Sequence, residues 1–437
     1  MTESQPAPPP RVVVVGAGVA GVRTATALRR RGFTGEVVLL SAEQRLPYDR
    51  PPLTKQILSG SWEPDRATLA QPEQLREQTI ELRLNSPVAG LGANGVRLAD
   101  GEQIDAAFVV LATGAVPYTL ADQPRDPRVH QINDLDDVLA LRTALASASS
   151  LLVVGAGLIG GEVATLARDA GLDVDLVEAL PAAFARALGP VGGTLLTARH
   201  RERGVRVHTN SWPENWSTDT AGVHLQLDNG TWLSADRALV AVGARPALDW
   251  LLDAPESDRP MLQANLEQGL ACDSDGRVIG TSSLYAVGDN AAWTDVGSGV
   301  RSRGQHWTRA LEQAEVVAAV IAARAGGPAF DEVDDASFPT VGPAYVWTDQ
   351  AGIKVQVIGD PHLGEQHRTL AASPSGAVVI TSDRGHVVAV TLMGVPRALA
   401  SARAAVSDAV PTDTAVALIN AKTPLTPTTI DALAASH

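Results

Sequence analysis

The chain has 437 residues, 45% hydrophobic and only 4% aromatic, with a formal charge of −14 and an isoelectric point near 5.1. That length supports two or three domains with sizeable cores, and the acidity argues against nucleic acid as a general partner, because phosphate backbones attract basic surfaces. The single cysteine, Cys272, excludes a disulfide framework and a paired redox thiol, and no apolar run reaches signal-peptide or membrane-span character, so a cytoplasmic protein that does not enter the membrane is expected.

From the N-terminus, the apolar run Val12-Val13-Val14-Val15 leads into Gly16-Ala17-Gly18-Val19-Ala20-Gly21 and an alanine-rich stretch. A continuous apolar run suits a strand buried on both faces of a parallel sheet, and the glycines suit a tight turn that brings backbone N–H groups to a pyrophosphate. The same order recurs at Leu151-Leu152-Val153-Val154 and Gly155-Ala156-Gly157-Leu158-Ile159-Gly160. Each copy is followed by a hairpin signal, Asp100-Gly101 in the first and Asn229-Gly230 in the second, and then by an apolar strand, Phe108 to Leu111 and Ala238 to Val242. One architecture used twice predicts two bound dinucleotides.

The acidic residues past each cradle bear on which nucleotide each copy takes. In the second copy Val174 to Val177 ends in Glu178, placed to accept from a ribose 2′-OH and to repel a 2′-phosphate, which favours NADH over NADPH; Arg186 nearby could alter that field. In the first copy Val37 to Leu40 leads into Ser41-Ala42-Glu43, so Glu43 is the candidate, with an ordinary solvated loop acid as the other reading.

Further along, residues 247–284 read as irregular, with Pro255 and Pro260 as breakers. Leu284 to Val287 reads as a short buried strand ending at Gly288-Asp289, and 307–323 as a helix. After the junction at Gly326-Gly327-Pro328, strands near 344–347, 353–357, 377–380 and 387–390 and a helix over 397–406 predict a C-terminal α+β domain. The expected organisation is an α/β protein with two Rossmann-like dinucleotide-binding domains, residues 1–120 with 247–328 and residues 121–246, followed by residues 329–437.

These pieces resemble the FAD-dependent, NADH-dependent ferredoxin reductases of bacterial oxygenase systems, a putidaredoxin reductase-like family similar in fold to glutathione reductase and apoptosis-inducing factor. The resemblance spans about residues 11–397 and is most specific at Leu46-Pro47-Tyr48-Asp49-Arg50-Pro51-Pro52-Leu53-Thr54-Lys55, where the adjacent prolines Pro51 and Pro52 restrict the backbone that aims Lys55. It implies that Gly16, Gly18 and Gly21 cradle FAD, with Glu43, Arg50, Lys55, Val88, Thr113, Gly114, Asp289 and Trp307 around it. It likewise implies that Gly155, Gly157, Ile159, Gly160, Glu162 and Glu178 hold NADH, with Glu162 at the nicotinamide carboxamide and Gly243 in the turn that closes that domain. Trp347-Thr348-Asp349-Gln350 resembles the family's segment facing the flavin's far side. Gln305, where glutamate is usual, Ala42, where an acid is common, and a long 253–268 stretch depart from the pattern.

The implied reaction is hydride transfer from NADH to FAD and release of single electrons to a ferredoxin, rubredoxin or other small iron–sulfur protein serving a P450 or dioxygenase. Lys55 and Glu162 are the candidate catalytic residues, Lys55 acting by charge rather than as a nucleophile; no metal is expected. The competing readings are a stand-alone flavoenzyme reducing oxygen, a quinone or a small metabolite, and a non-enzymatic FAD- and NADH-binding interaction protein. A monomer or homodimer is expected.

Overall fold

Val12, Val13 and Val14 are fully buried in the strand Arg11–Val15, which is paired on both edges, with Glu36–Leu40 on one side and Phe108–Leu111 on the other. Ile80–Arg83 and Leu284–Ala286 extend these edges, giving a five-stranded sheet in which every pairing is parallel. In the computed structural model the described residues are 10–92, 94–253, 264–265, 268–295, 299–326, 339, 341–372 and 376–428. One unit comprises Met1–Asp49, Asp65–Val116 and Arg245–Gly342; the other comprises Arg50–Pro64, Pro117–Ala244 and Pro343–His437.

In the first unit the helices Val19–Arg30 and Trp307–Gly326 pack on each other beside the sheet, so Ala25, Leu28, Val317 and Ile321 join one core with the strand valines. The three strands Val88–Gly92, Gly95–Leu98 and Gln103–Asp105 form an antiparallel sheet, and the expected turn at Gly101 has φ 96°. The stretch read as irregular is partly ordered. It forms a helix at Asp249–Asp253 and strands at Ala264–Asn265 and Gly269–Cys272, the latter paired in parallel with Ala291–Thr294. Runs of two to five residues are too short to show a period, which is why the sequence hides them. Most of the 253–268 stretch, and Gly327-Pro328, lie outside the described residues.

In the second unit Ser150–Val154 lies between Asp173–Val177 and Arg237–Val240, with Arg206–His208 and Val129–His130 at the edges, again all parallel. Pro213–Asp219, Gly222–Leu227 and Trp232–Ala235 make the antiparallel sheet, with the turn glycine Gly230 at φ 82°. The C-terminal part is a six-stranded antiparallel sheet, whose apolar face is covered by Leu399–Ser407 and Thr412–Asn420. Its strands Gln366–Ala372 and Leu425–Pro427 were not expected. Gln366, His367 and Arg368 are exposed, so the first of these carries no apolar run.

Asp175 points into this second fold from its parallel sheet and is 6% exposed. Arg206 donates to it at 2.9 and 2.8 Å and His208 at 2.8 Å, stitching the edge strand Arg206–His208 to its neighbour. Burial alone would raise this carboxyl, but the hydrogen bonds from His208 and Arg206 outweigh it and hold the pKa at about 2. A carboxylate depressed in the folded state stabilises above its unfolded pKa and loses that contribution as pH falls toward the folded value, here worth about 2 kcal/mol. Asp175→Asn should therefore cost stability at neutral pH, and the gap to the parent should narrow as the pH drops from about 5 to about 3. Urea unfolding across that range checks it, and a gap that stays constant would remove the ion pair from the explanation.

Candidate functional site

The two glycine cradles are built alike. Gly16 and Gly155 have φ 104° and 102°, a left-handed conformation that glycine accepts at no steric cost. A Cβ on Gly16 would lie 2.3 Å from the carbonyl oxygen of Ala112, and one on Gly155 the same distance from that of Ala241. A Cβ on Gly21 or Gly160 would strike the oxygen of Gly16 or Gly155 at 1.8 and 2.0 Å, so these glycines let each helix close onto its strand. At Gly18 and Gly157 an added Cβ meets nothing within 4 Å. Both residues cap helices that lack a side-chain cap and any acid in the first turn, which leaves N–H groups and a positive helix end facing open space.

The duplication extends beyond the cradles. Ser41 N bonds to Arg83 O and Ser86 N to Ser41 O, as Glu178 N bonds to His208 O and Ser211 N to Glu178 O. Asn85 and Asn210 both take positive φ, 50° and 49°. Glu178 thus occupies the place that Ser41 holds in the first unit. Its carboxylate accepts from Ala156 N at 3.0 Å and Leu180 N at 3.0 Å, which fixes it over the second cradle. Glu43 lies two residues beyond Ser41 and accepts from Tyr48 Oη at 2.8 Å.

Around the first cradle, Thr113 Oγ1 is buried without a hydrogen-bond partner, directly after the Ala112 carbonyl that confines Gly16. Gly114 follows with φ 72° and open space at its Cα. A Cβ on Gly288 would lie 3.3 Å from Ala20 Cβ, so the backbone just before Asp289 runs close to the Val19–Arg30 helix, with the Gly288 N–H on Gln313 Oε1 at 2.8 Å. Trp307 Nε1 donates to Asp49 Oδ1 at 2.7 Å. Val88 begins the small antiparallel sheet and is partly buried.

The motif at 46–55 is divided. Tyr48 and Asp49 belong to the first unit, whereas Arg50 to Pro64 belong to the second, where Arg50 Nη1 donates to Asn133 O at 2.5 Å. Leu53–Ile57 forms a π-helical turn, in which Ile57 N reaches Pro52 O and Leu58 N reaches Leu53 O, both at 3.0 Å. That turn presents Thr54 and Lys55 together. Lys55 Nζ lies 2.7 Å from Glu162 Oε1, and Thr54 Oγ1 donates to Glu162 Oε2 at 2.5 Å. Thr348 Oγ1 supplies a third donor, at 2.6 Å from Oε1. Glu162 is 4% exposed, so three donors meet a carboxylate cut off from water. With about four acceptor positions on a carboxylate, one remains.

Ile159 is exposed beside the second cradle. Gly243 has φ 106°, and its carbonyl accepts from Tyr118 N at 3.0 Å. Cys272 is fully buried, and burial pushes its thiol far above the ordinary range. Among the described residues no cluster of His, Cys, Asp and Glu is arranged to hold a metal ion, and no helix is long and apolar enough to cross a membrane. Nothing in sequence spacing ties Thr54 or His200 to Glu162, so their part in the site emerges only from the fold.

Residues 10–314 match the pyridine nucleotide-disulphide oxidoreductase family and residues 345–429 the reductase C-terminal family. The chain is 36% identical to the ferredoxin–NAD(+) reductase subunit of the benzene 1,2-dioxygenase system of Pseudomonas putida, over 80% of each chain. It is 34% identical to the ferredoxin reductase component of chlorobenzene dioxygenase from Cupriavidus sp. (strain PS12), over 90% of this chain and 91% of that one. The structure superposes on the ferredoxin reductase for the CYP199A2 system from Rhodopseudomonas palustris with a TM-score of 0.79 at 27% identity, covering 88% and 91% of the two chains. The doubled cradle fold with its added C-terminal sheet is therefore the fold of these reductases, and the chain belongs to the pyridine nucleotide-disulphide oxidoreductase family.

Proposed function

We propose that the chain is an NADH-dependent, FAD-containing ferredoxin reductase that delivers electrons to a ferredoxin, rubredoxin or similar small iron–sulfur protein of an oxygenase system. The observation that carries this reading is the pair of glycine cradles, each opening on a helix N-terminus, with open space at Gly18 and Gly157 and no room for a Cβ at Gly16, Gly21, Gly155 and Gly160. The first cradle fits FAD: Thr113 offers an unmet buried hydroxyl, Gly114 leaves open backbone, and Asp289 and Glu43 supply carboxylates for hydroxyls of the cofactor. Arg50, Val88 and Trp307 complete the proposed set. The second cradle fits NADH, with Gly155, Gly157, Ile159 and Gly160 at the pyrophosphate, Gly243 in the closing turn and Glu178 on the adenosine ribose. Such a protein works where NADH is regenerated, in the cytoplasm, as a monomer or homodimer.

FAD held at the first cradle by Gly16, Gly18 and Gly21 would supply uptake of two electrons as a hydride and their release singly. The chain's own task is to place charge and exclude side paths. Glu162 anchors Lys55, so the ammonium sits at a fixed place and favours negative charge that develops near it. The acceptor position left on Glu162 suits an amide N–H of the nicotinamide carboxamide. Despite the family's name, sulfur takes no part, since the one cysteine is buried and its thiolate disfavoured, and electrons leave without a dithiol relay.

Three measurements bear on this. The purified protein should be yellow and should bleach on anaerobic addition of NADH, and cytochrome c reduction should become fast only when a ferredoxin is supplied; rapid NADH oxidation in air without it would favour a stand-alone oxidase. Lys55→Met should slow stopped-flow bleaching by roughly a hundredfold, the low end of the range for a lost preorganised electrostatic group, and an unchanged rate would discard its tuning role. Glu178→Ser should raise the NADPH to NADH ratio of kcat/KM by roughly tenfold, since the 2′-phosphate no longer meets a carboxylate; an unaltered ratio would move the specificity elsewhere.

A further inference from the structure

We propose that His200, Gln350 and Thr348 form a one-directional hydrogen-bond chain that positions the Glu162 carboxylate and, through it, Lys55. All three residues are buried, each 1% exposed. His200 Nε2 lies 2.8 Å from Gln350 Oε1, Gln350 Nε2 donates to Thr348 Oγ1 at 2.9 Å, and Thr348 Oγ1 donates to Glu162 Oε1 at 2.6 Å.

The direction is set at the histidine. His200 Nδ1 is buried without a partner, and a proton there would leave an unmet N–H donor, the costlier defect, so the ring carries its proton on Nε2. Burial, joined by nearby Arg203 and only partly opposed by the Gln350 bond, pushes His200 down to about 4, so the ring is neutral with a single N–H. That N–H fixes the Gln350 carbonyl toward the ring and its NH2 toward Thr348. The Thr348 oxygen then accepts from Gln350, and its own proton can go only to Glu162. Reversing the tautomer would turn the amide over, make Thr348 donate to Gln350, and strip one donor from the carboxylate.

The surroundings hold each member in place. Phe184 stacks on His200 with ring centroids 4.9 Å apart, and it does so from φ 63°, a left-handed conformation unfavourable to a bulky side chain. A Cβ on Gly161 would lie 1.9 Å from Gln350 Oε1, so the Leu158–Asp169 helix approaches the amide as closely as a glycine allows. Ala351 N donates to Thr165 Oγ1 at 2.9 Å, tying the strand end to the same helix. Thr348, Gln350 and His200 are thus positioning residues. Their effect on hydride transfer rests on the function proposed above, whereas the chain of bonds does not.

The chain has three lysines, Lys55, Lys354 and Lys422, so trace acylation of the holoprotein read by mass spectrometry reports Lys55 against exposed Lys422. Thr348→Val keeps the shape and removes the donor; it should raise Lys55 acylation and slow anaerobic bleaching by NADH, each by roughly tenfold, the size of one hydrogen bond to a charged group. Thr348→Ser keeps the donor and should stay within about twofold of the parent. Gln350→Glu, which cannot donate to Thr348 and draws its proton away, should behave like Thr348→Val. Protection of Lys55 that survives Thr348→Val but is lost in Thr348→Ser would reduce Thr348 to packing and overturn the proposal. Parent-like Gln350→Glu beside an impaired Thr348→Val would overturn the direction of the chain. A parent protein that lacks flavin refutes the functional reading alone, and the acylation pattern still decides the positioning.

Discussion

Burying a carboxylate costs several kcal/mol unless donors replace the water it loses, and Glu162 is where this chain meets that demand. Its three donors come from sequence-distant places, two from the π-helical turn at 53–57 and one from the strand Tyr345–Gln350. Each is therefore held by the need to satisfy one anion. Removing a single partner leaves one acceptor position of a buried anion unmet, so the turn, the Leu158–Asp169 helix and the C-terminal strand are coupled through that carboxylate. A lysine on a flexible four-carbon stem would otherwise sample many positions, and the ion pair replaces that freedom with one location.

The two nucleotide-binding folds show what a shared backbone can and cannot dictate. The same hydrogen bonds frame both cradles, from the glycine turn to the asparagine of positive φ beyond the third strand. The side chain at one matched position differs. Glu178 is drawn over its cradle by Ala156 and Leu180, while Ser41 leaves the corresponding place small and the nearest acid, Glu43, is held by Tyr48. A common scaffold thus carries two differently charged edges, and under the function proposed above the choice of nucleotide is written in the side chains rather than in the strands.

The strands and cradles were legible because each produces a local signal. Valine runs, paired glycines and Asp-Gly or Asn-Gly turns all state their conformation within a few residues. The ordered pieces at 249–253 and 269–272 were not legible, since strands and helices that short have no period. The sequence could suggest that Lys55 has a carboxylate partner but not which, as Glu162 lies 107 residues on and pairing across that distance leaves no pattern. Glu162 was expected at the nicotinamide for family reasons, and its bonds to Thr54 and Thr348 came only from the fold. Thr348 and Gln350 alternate along a strand, which hinted at a shared face but not at what it touches. His200, in the last turn of the helix Ala185–Glu202, gave no sign that its ring closes a buried network.

The location of the lone sulfhydryl has a further consequence. Cys272 lies in the interior of the first unit, with its proton held tightly by the apolar surroundings. Electrons that stray to dioxygen generate peroxide, which attacks accessible thiolates first and drives them up the ladder of sulfur acids. This protein offers peroxide no accessible thiolate, so the cysteine route of oxidative damage is closed to it while it turns over in air.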